Sequence, residues 1–337
     1  MAAPLRWRIV GLLVVTTLAL ALVLHGLDLS ATWAALASYE WERVPVALSL
    51  YGAALLARAA RLRRLLSRPV AYGRVLLISG ASHLASAVMP LHLGTLVAPY
   101  LLDTTSEVPF GEGVAAAVME RVLDLLVLAL LVGVAATWIE LPGELEVLGL
   151  VIATRLAIAI ALCAALAGLA GLALAGPAGV AAVVRTTRRI APELEPVVVR
   201  VLGRFVQGVR GLATRPRAFA IAALWTLGWW SASMAAGAVT MGGFASLPSP
   251  TPLAVVLNQI GIVAGGSLVP SPGHVGGFEA GAMGAMMTLG ASTDAARAFA
   301  LVLHATQLGF TVAAGLTCFA VAGWSFGEVV RGARSPA

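Results

Sequence analysis

The sequence predicts an all-α, polytopic membrane protein of about six full spans plus two re-entrant helical hairpins in an inverted repeat. Three observations carry this expectation. Of 337 residues, 60% are hydrophobic and 11% charged, with a mean hydropathy of +0.94; a soluble domain confining its apolar residues to one core is excluded. All 22 basic residues are arginine, clustered between apolar runs, a distribution that reports topology rather than nucleic-acid binding. The pattern P-x-H-x-G occurs twice, as Pro90-Leu91-His92-Leu93-Gly94 and Pro272-Gly273-His274-Val275-Gly276, each time within a stretch apolar enough for a bilayer. Proline removes a backbone donor and glycine admits left-handed geometry, so each copy should break a helix where lipid cannot satisfy the exposed backbone.

The elements follow in order. The run 9–27 comes after Arg6 and Arg8 and lacks a convincing cleavage site, so it reads as an uncleaved first span. Further apolar segments lie at 44–57, 75–102, 113–138, 147–175, 218–242, 252–290 and 295–323. Arginine marks the cytoplasmic side: Arg58, Arg61, Arg63, Arg64, Arg68 and Arg74 after the second segment, and eight arginines in the connector 176–217, where an amphipathic surface helix is possible. Asp28, Glu40 and Glu42, and later Glu140, Glu144 and Glu146, then face out.

If 75–102 crossed once, the arginine-rich connector would lie outside. The conflict vanishes if 75–102 enters from the cytoplasm, turns at the first P-x-H-x-G and returns. Arg331 and Arg334 place the C-terminus inside, so 252–290 must begin and end outside, turning at the second motif. The chain 1–337 is thus read as a single membrane domain. Its first repeat is 44–138 with hairpin 75–102, and its second is 218–323 with hairpin 252–290. A prokaryotic plasma membrane with both termini cytoplasmic is the expected location. Small residues favour close packing of the broken helices: Ser79, Gly80, Ser82, Ala85 and Ser86 in the first, Gly261 with Gly265 and Gly277 with Gly281 in the second.

Polar residues inside apolar segments are the candidate site. Glu120, Arg121 and Asp124 are expected to form one polar stripe facing the bundle, since each intramembrane charge costs about 3 kcal/mol on insertion scales. Arg121 with Asp124 is alternatively a structural salt bridge. His92 and His274, one at each turn, are candidates for an anionic headgroup or a proton. Gly94 and Gly276 complete the turns. Glu279 opens the returning half-helix as a site residue or a helix cap, and His304 and Gln307 lie on the last span. Asn258 and Gln259 read as inter-helix glue or substrate contacts, and Arg297 as an arginine snorkelling to the outer interface or, alternatively, contacting a headgroup. Cys163 and Cys318 read as buried hydrophobes. No nucleotide-binding loop, zincin, nucleophile-elbow or Cys/His metal motif is present in the sequence, so no catalytic residue, metal or cofactor is expected.

Pro90 to Leu102 (PLHLGTLVAPYLL), Glu120-Arg121-x-x-Asp124 and Pro272 to Glu279 (PGHVGGFE) together resemble the lysylphosphatidylglycerol synthase transmembrane region. The resemblance covers most of the chain and implies a flippase-like integral membrane protein. The namesake enzymes join this region to a soluble aminoacyltransferase domain, which is not expected in a chain ending at Ala337. Where the family usually has P-x-R-x-G-E-x-x-R, this sequence has His92, Thr95 and Ala98; His274 replaces a glycine, and His304 the usual arginine of the last span. The expected function is flippase-like movement of a lipid or lipid-linked headgroup, passive or ion-coupled. The alternative is a non-catalytic membrane subunit presenting lipid to a separate transferase; an intramembrane transferase with Glu120 as base ranks last. Expected partners are membrane lipids, anionic or polyprenyl-linked, and a separate lipid-modifying enzyme, with no nucleic acid.

Overall fold

The computed structural model describes residues 29–89, 94–138, 144–147, 150–153, 181–189, 195, 199, 215–269 and 271–334. The expected first span, His92 and most of the connector lie outside them. The elements are α1 (Leu29–Ala37), α2 (Arg43–Leu65), α3 (Tyr72–Val88), α4 (Val97–Ser106), α5 (Phe110–Trp138), β1 (Glu144–Val147), β2 (Leu150–Ala153), α6 (Pro216–Gly242), α7 (Pro252–Leu268), α8 (Gly277–Thr288), α9 (Thr293–Ala322) and α10 (Phe326–Arg334). Residues 181–189 are also helical. The fold is therefore helical, with one correction. The sequence reading begins an apolar segment at 147, but 144–153 supplies an antiparallel pair in which Glu144 faces Ala153 and Val147 faces Leu150. Val147, Val151 and Ile152 are β-branched and suit a strand; the remainder of 147–175 lies outside the described residues.

Among the described residues two helices, α6 with 27 residues and α9 with 30, are long and apolar enough to cross a membrane. At 1.5 Å per residue they span about 40 and 45 Å, more than a bilayer's hydrocarbon core of about 30 Å. Their ends are set locally. The α9 N-cap Ser292 accepts the Ala295 N–H at 3.3 Å, and Gly323 ends the helix in the left-handed region at φ 68°.

The described residues group into two compact units interleaved along the chain, Met1–Ala59 with Gly73–Ala98 and Gly228–Ala337, and Ala60–Tyr72 with Pro99–Leu227. The core of the first gathers Tyr39, Met241, Phe244, Ala254, Phe278, Met286 and Phe299. Here α3 packs on α9 through small residues: a Cβ at Gly80 would overlap Cys318, and one at Gly315 would overlap Leu84. Cys318 is accordingly buried.

Within the same unit, α7 and α8 fold back on each other as a helical hairpin. Thr251 caps α7, its side chain accepting the Ala254 N–H at 3.3 Å, and Pro252 occupies the first turn, where its missing N–H is harmless. The two limbs meet through the expected glycines, paired crosswise: Gly261 against the backbone of Gly281, and Gly265 against that of Gly277. A Cβ at any of the four would collide with the opposite carbonyl, so the helices approach at backbone distance as small-xxx-small seams allow. In the segment 75–102, α3 ends at Val88 and a short turn at residues 94–96 leads into α4. Gly94 there lies against the backbone of Ala85 and Ser86, with no room for a side chain.

Candidate functional site

Breaking a helix in an apolar stretch strands backbone groups, and the second P-x-H-x-G motif answers with its own side chains. Gly273 and His274 are left-handed, at φ 66° and 60°, and Gly276 follows at 86°. Serine, two histidines and a glutamate then take up the freed groups. Ser271 Oγ donates to the Val275 carbonyl at 2.7 Å. His274 Nδ1 lies 3.2 Å from the Gly266 carbonyl, one of the last acceptors of α7. The Gly276 N–H donates to Glu279 Oε2 at 2.7 Å, and His304 Nε2 lies 2.8 Å from the Gly273 carbonyl. This is the condition under which irregular backbone survives at membrane depth.

His304 and Glu279 form the centre of that arrangement. His304 Nδ1 is 2.7 Å from Glu279 Oε1, both side chains are buried, and the imidazole stacks on Phe278 with centroids 4.4 Å apart and planes at 18°. A carbonyl oxygen only accepts, so both histidines are protonated at the nitrogen facing one: Nε2 of His304 and Nδ1 of His274. Glu279 is thus both a helix cap and a histidine partner. Gln307, three residues on from His304, has its Oε1 3.5 Å from the Tyr51 hydroxyl, the outer limit of a hydrogen bond. Asn258 and Gln259 are buried, with Asn258 Nδ2 against Gly237 of α6, which favours the inter-helix reading.

The second unit holds the other expected residues and one that was misread. Glu120 and Asp124, four apart on α5, present their carboxylates on one buried face. Their partner is Arg61, near the end of α2: Nε donates to Glu120 Oε1 at 3.0 Å and Nη1 to Asp124 Oδ1 at 2.6 Å. The Arg61 residue is 2% exposed. A guanidinium fork suits two carboxylates one helical turn apart. Arg61 is therefore a buried structural cation, not a loop marker of topology. Arg121 corrects the expected stripe, since its side chain is 58% exposed and its Nη1 reaches Asp124 Oδ2 only at 3.8 Å. It sits one residue along from Glu120, about 100° around the helix, and so leaves the buried face.

Arg297 is also corrected. It is 1% exposed and donates to Asp294 Oδ1 at 2.8 Å, so it does not snorkel. Arg61 and Ser271 are the residues that the sequence reading left out of the site. For Arg61 a signal existed: Ala47, Tyr51, Ala54, Ala57, Arg61 and Leu65 are all buried at helical spacing along α2, so the apolar stripe runs into the arginine. Among the described residues no group of three or more His, Cys, Asp or Glu side chains could hold a metal.

The helical fold, two membrane-length helices and a mean hydropathy of +0.94 fit the class of helical integral membrane proteins. The chain belongs to one family of that class, the lysylphosphatidylglycerol synthase TM region, whose model matches residues 8–315. It is also similar to a protein named glycosyltransferase AglD from Haloferax volcanii, at 27% identity over 92% of this chain and 54% of that protein. The chain thus spans about half the length of that curated relative.

Proposed function

We infer that the chain moves the headgroup of a lipid, or of a lipid-linked sugar, between the two leaflets. The observation carrying this is the α7–α8 hairpin, an apolar segment that turns back at a broken motif whose polar backbone is held by side chains. On this reading both P-x-H-x-G segments are re-entrant, the halves form an inverted repeat, and a headgroup passes between polar tips while acyl chains stay in lipid. Membership of a family named for a lipid-modifying enzyme supports a lipid substrate. With Arg61 removed from the topology count, Arg63, Arg64, Arg68 and Arg74 remain exposed around the α2–α3 turn, enough to keep it cytoplasmic. The bond from Arg61 to Glu120 disfavours that carboxylate as a catalytic base, supporting transport over chemistry.

The test is the purified chain in liposomes carrying fluorescent anionic, zwitterionic or polyprenyl-phosphate lipids. Accelerated transbilayer movement of at least one class is expected, and none for any class rejects the reading. Topology has a separate readout: Ser106→Cys should react with an impermeant thiol reagent only from the cytoplasmic face, and labelling from outside removes the first re-entrant segment.

A second reading has its own observation. Similarity to about half of a protein named as a glycosyltransferase fits a membrane module that presents a lipid acceptor to a separate transferase. Stimulation of such a transferase in liposomes where no lipid crosses would favour it.

A further inference from the structure

We propose that His304 and Glu279 carry one transferable proton and that this proton is the ion to which lipid movement is coupled. The proposal rests on the transport reading above and names its coupling ion. The Gly273 carbonyl, 2.8 Å from Nε2, fixes a hydrogen on that nitrogen. The 2.7 Å contact between Nδ1 and Glu279 Oε1 then needs one further hydrogen. It sits either on the ring, giving imidazolium with carboxylate, or on the acid, giving imidazole with a carboxylic acid. Both placements have the same proton count and no net charge, which suits an apolar surrounding.

Removing that one proton leaves a ring lone pair facing a carboxylate. Two acceptors at hydrogen-bond distance repel, and the carboxylate loses its countercharge. The ring holds the Gly273 carbonyl and the carboxylate holds the Gly276 N–H, so repulsion acts on both sides of the tip and parts it from α9. The proton-loaded tip is latched and the proton-free tip is released. Only N–H and O–H bonds change: the proton leaves to water on one side and is replaced from the other.

Among the described residues, α3, which packs on α9, carries Arg74 and His83, and His83 Nδ1 lies 2.9 Å from Arg58 Nη1. The segment α1 carries no charged residue and neither does α7, and Glu279 is the one Asp, Glu, Lys or Arg of α8. His274 is engaged with Gly266, Asp294 and Arg297 pair with each other nearly two turns before His304, and α2 contributes Tyr51 at Gln307.

The experiment uses the full chain in liposomes with a reporter-labelled anionic phospholipid or polyprenyl phosphate and an imposed pH gradient. For one proton per lipid, the leaflet distribution should shift about tenfold per pH unit and collapse with a protonophore. In Glu279→Gln the amide can accept from a protonated His304 ring or donate to a neutral one, so loss of a proton no longer sets two acceptors against each other, and His304→Arg keeps donors that do not deprotonate; the gradient response should vanish in both. In detergent, a pH jump should release one proton fewer per chain from folded Glu279→Gln than from wild type, a readout that needs neither transport nor the bulkier His304 variant. Wild-type movement indifferent to the gradient overturns the coupling but leaves the transport reading standing. Absence of movement under any gradient overturns the transport reading, and the coupling with it. A response that survives in the variants, or proton release unchanged in Glu279→Gln, overturns the proposal.

Discussion

Replacing Arg61 with methionine should destabilise the protein by about 3–5 kcal/mol, because the two α5 carboxylates then stay buried without their guanidinium. Thermal unfolding in detergent, followed by circular dichroism, reads this directly. Arg61→Lys should recover only part of the loss: an ammonium keeps the charge, but as a point charge it does not fork between Glu120 and Asp124. The combination Arg61→Met, Glu120→Gln and Asp124→Asn should be less harmful than Arg61→Met alone, since breaking an ion cluster costs more than neutralising all of it. An Arg61→Met protein that melts with wild type would mean that the cluster contributes nothing to the fold.

Gly281→Ala should cost about 1–3 kcal/mol or more from a single methyl group, through overpacking against backbone that cannot rotate away. The added carbon would collide with the carbonyl of Gly261, so the α7–α8 hairpin must splay. Three residues on, Gly284 is exposed, and a Cβ added there would meet nothing within 4 Å. Gly284→Ala on the same helix should therefore be neutral, or stabilising by up to about 1 kcal/mol through helix propensity. Opposite outcomes for the two substitutions, measured by thermal stability and by the yield of monodisperse protein, separate backbone contact from propensity. Equal outcomes would deny the tight seam.

Much of the hairpin was legible because its signals are local. Apolar length bounded the segment at 252–290, close to the helices at 252–288, and the P-G-H-V-G run marked the break. The four glycines were visible as small-residue spacing, although which one meets which follows only from the fold-back. Glu279 and His304 were both picked out but not as partners: they lie 25 positions apart, and no local rule joins a helix N-terminus to the middle of the next helix. Arginine was the main source of error. The positive-inside rule counts charge without regard to burial, so Arg61 was placed at the cytoplasmic interface when two carboxylates hold it in the interior; Arg297 was read as snorkelling, but it is buried and paired with Asp294. Arg121 was placed in the stripe by its three-residue spacing to Asp124, but that spacing lets an exposed arginine reach a buried carboxylate from the helix flank, at 3.8 Å, without joining the buried face. At the first motif, Gly94 is buried as a tight turn requires, while His92 lies outside the described residues.

The hydrogen bond between Glu279 and His304 has a consequence for how the chain is built into a membrane. Residues 252–288 contain a single Asp, Glu, Lys or Arg, and it is Glu279. Its side-chain partner arrives only with the following helix, Thr293–Ala322. A carboxylate left alone in hydrocarbon carries a penalty of about 3 kcal/mol on insertion scales. On the re-entrant reading, the hairpin is thus incomplete as an insertion unit when its own last residue is synthesised, and it should settle in lipid together with the helix that brings His304.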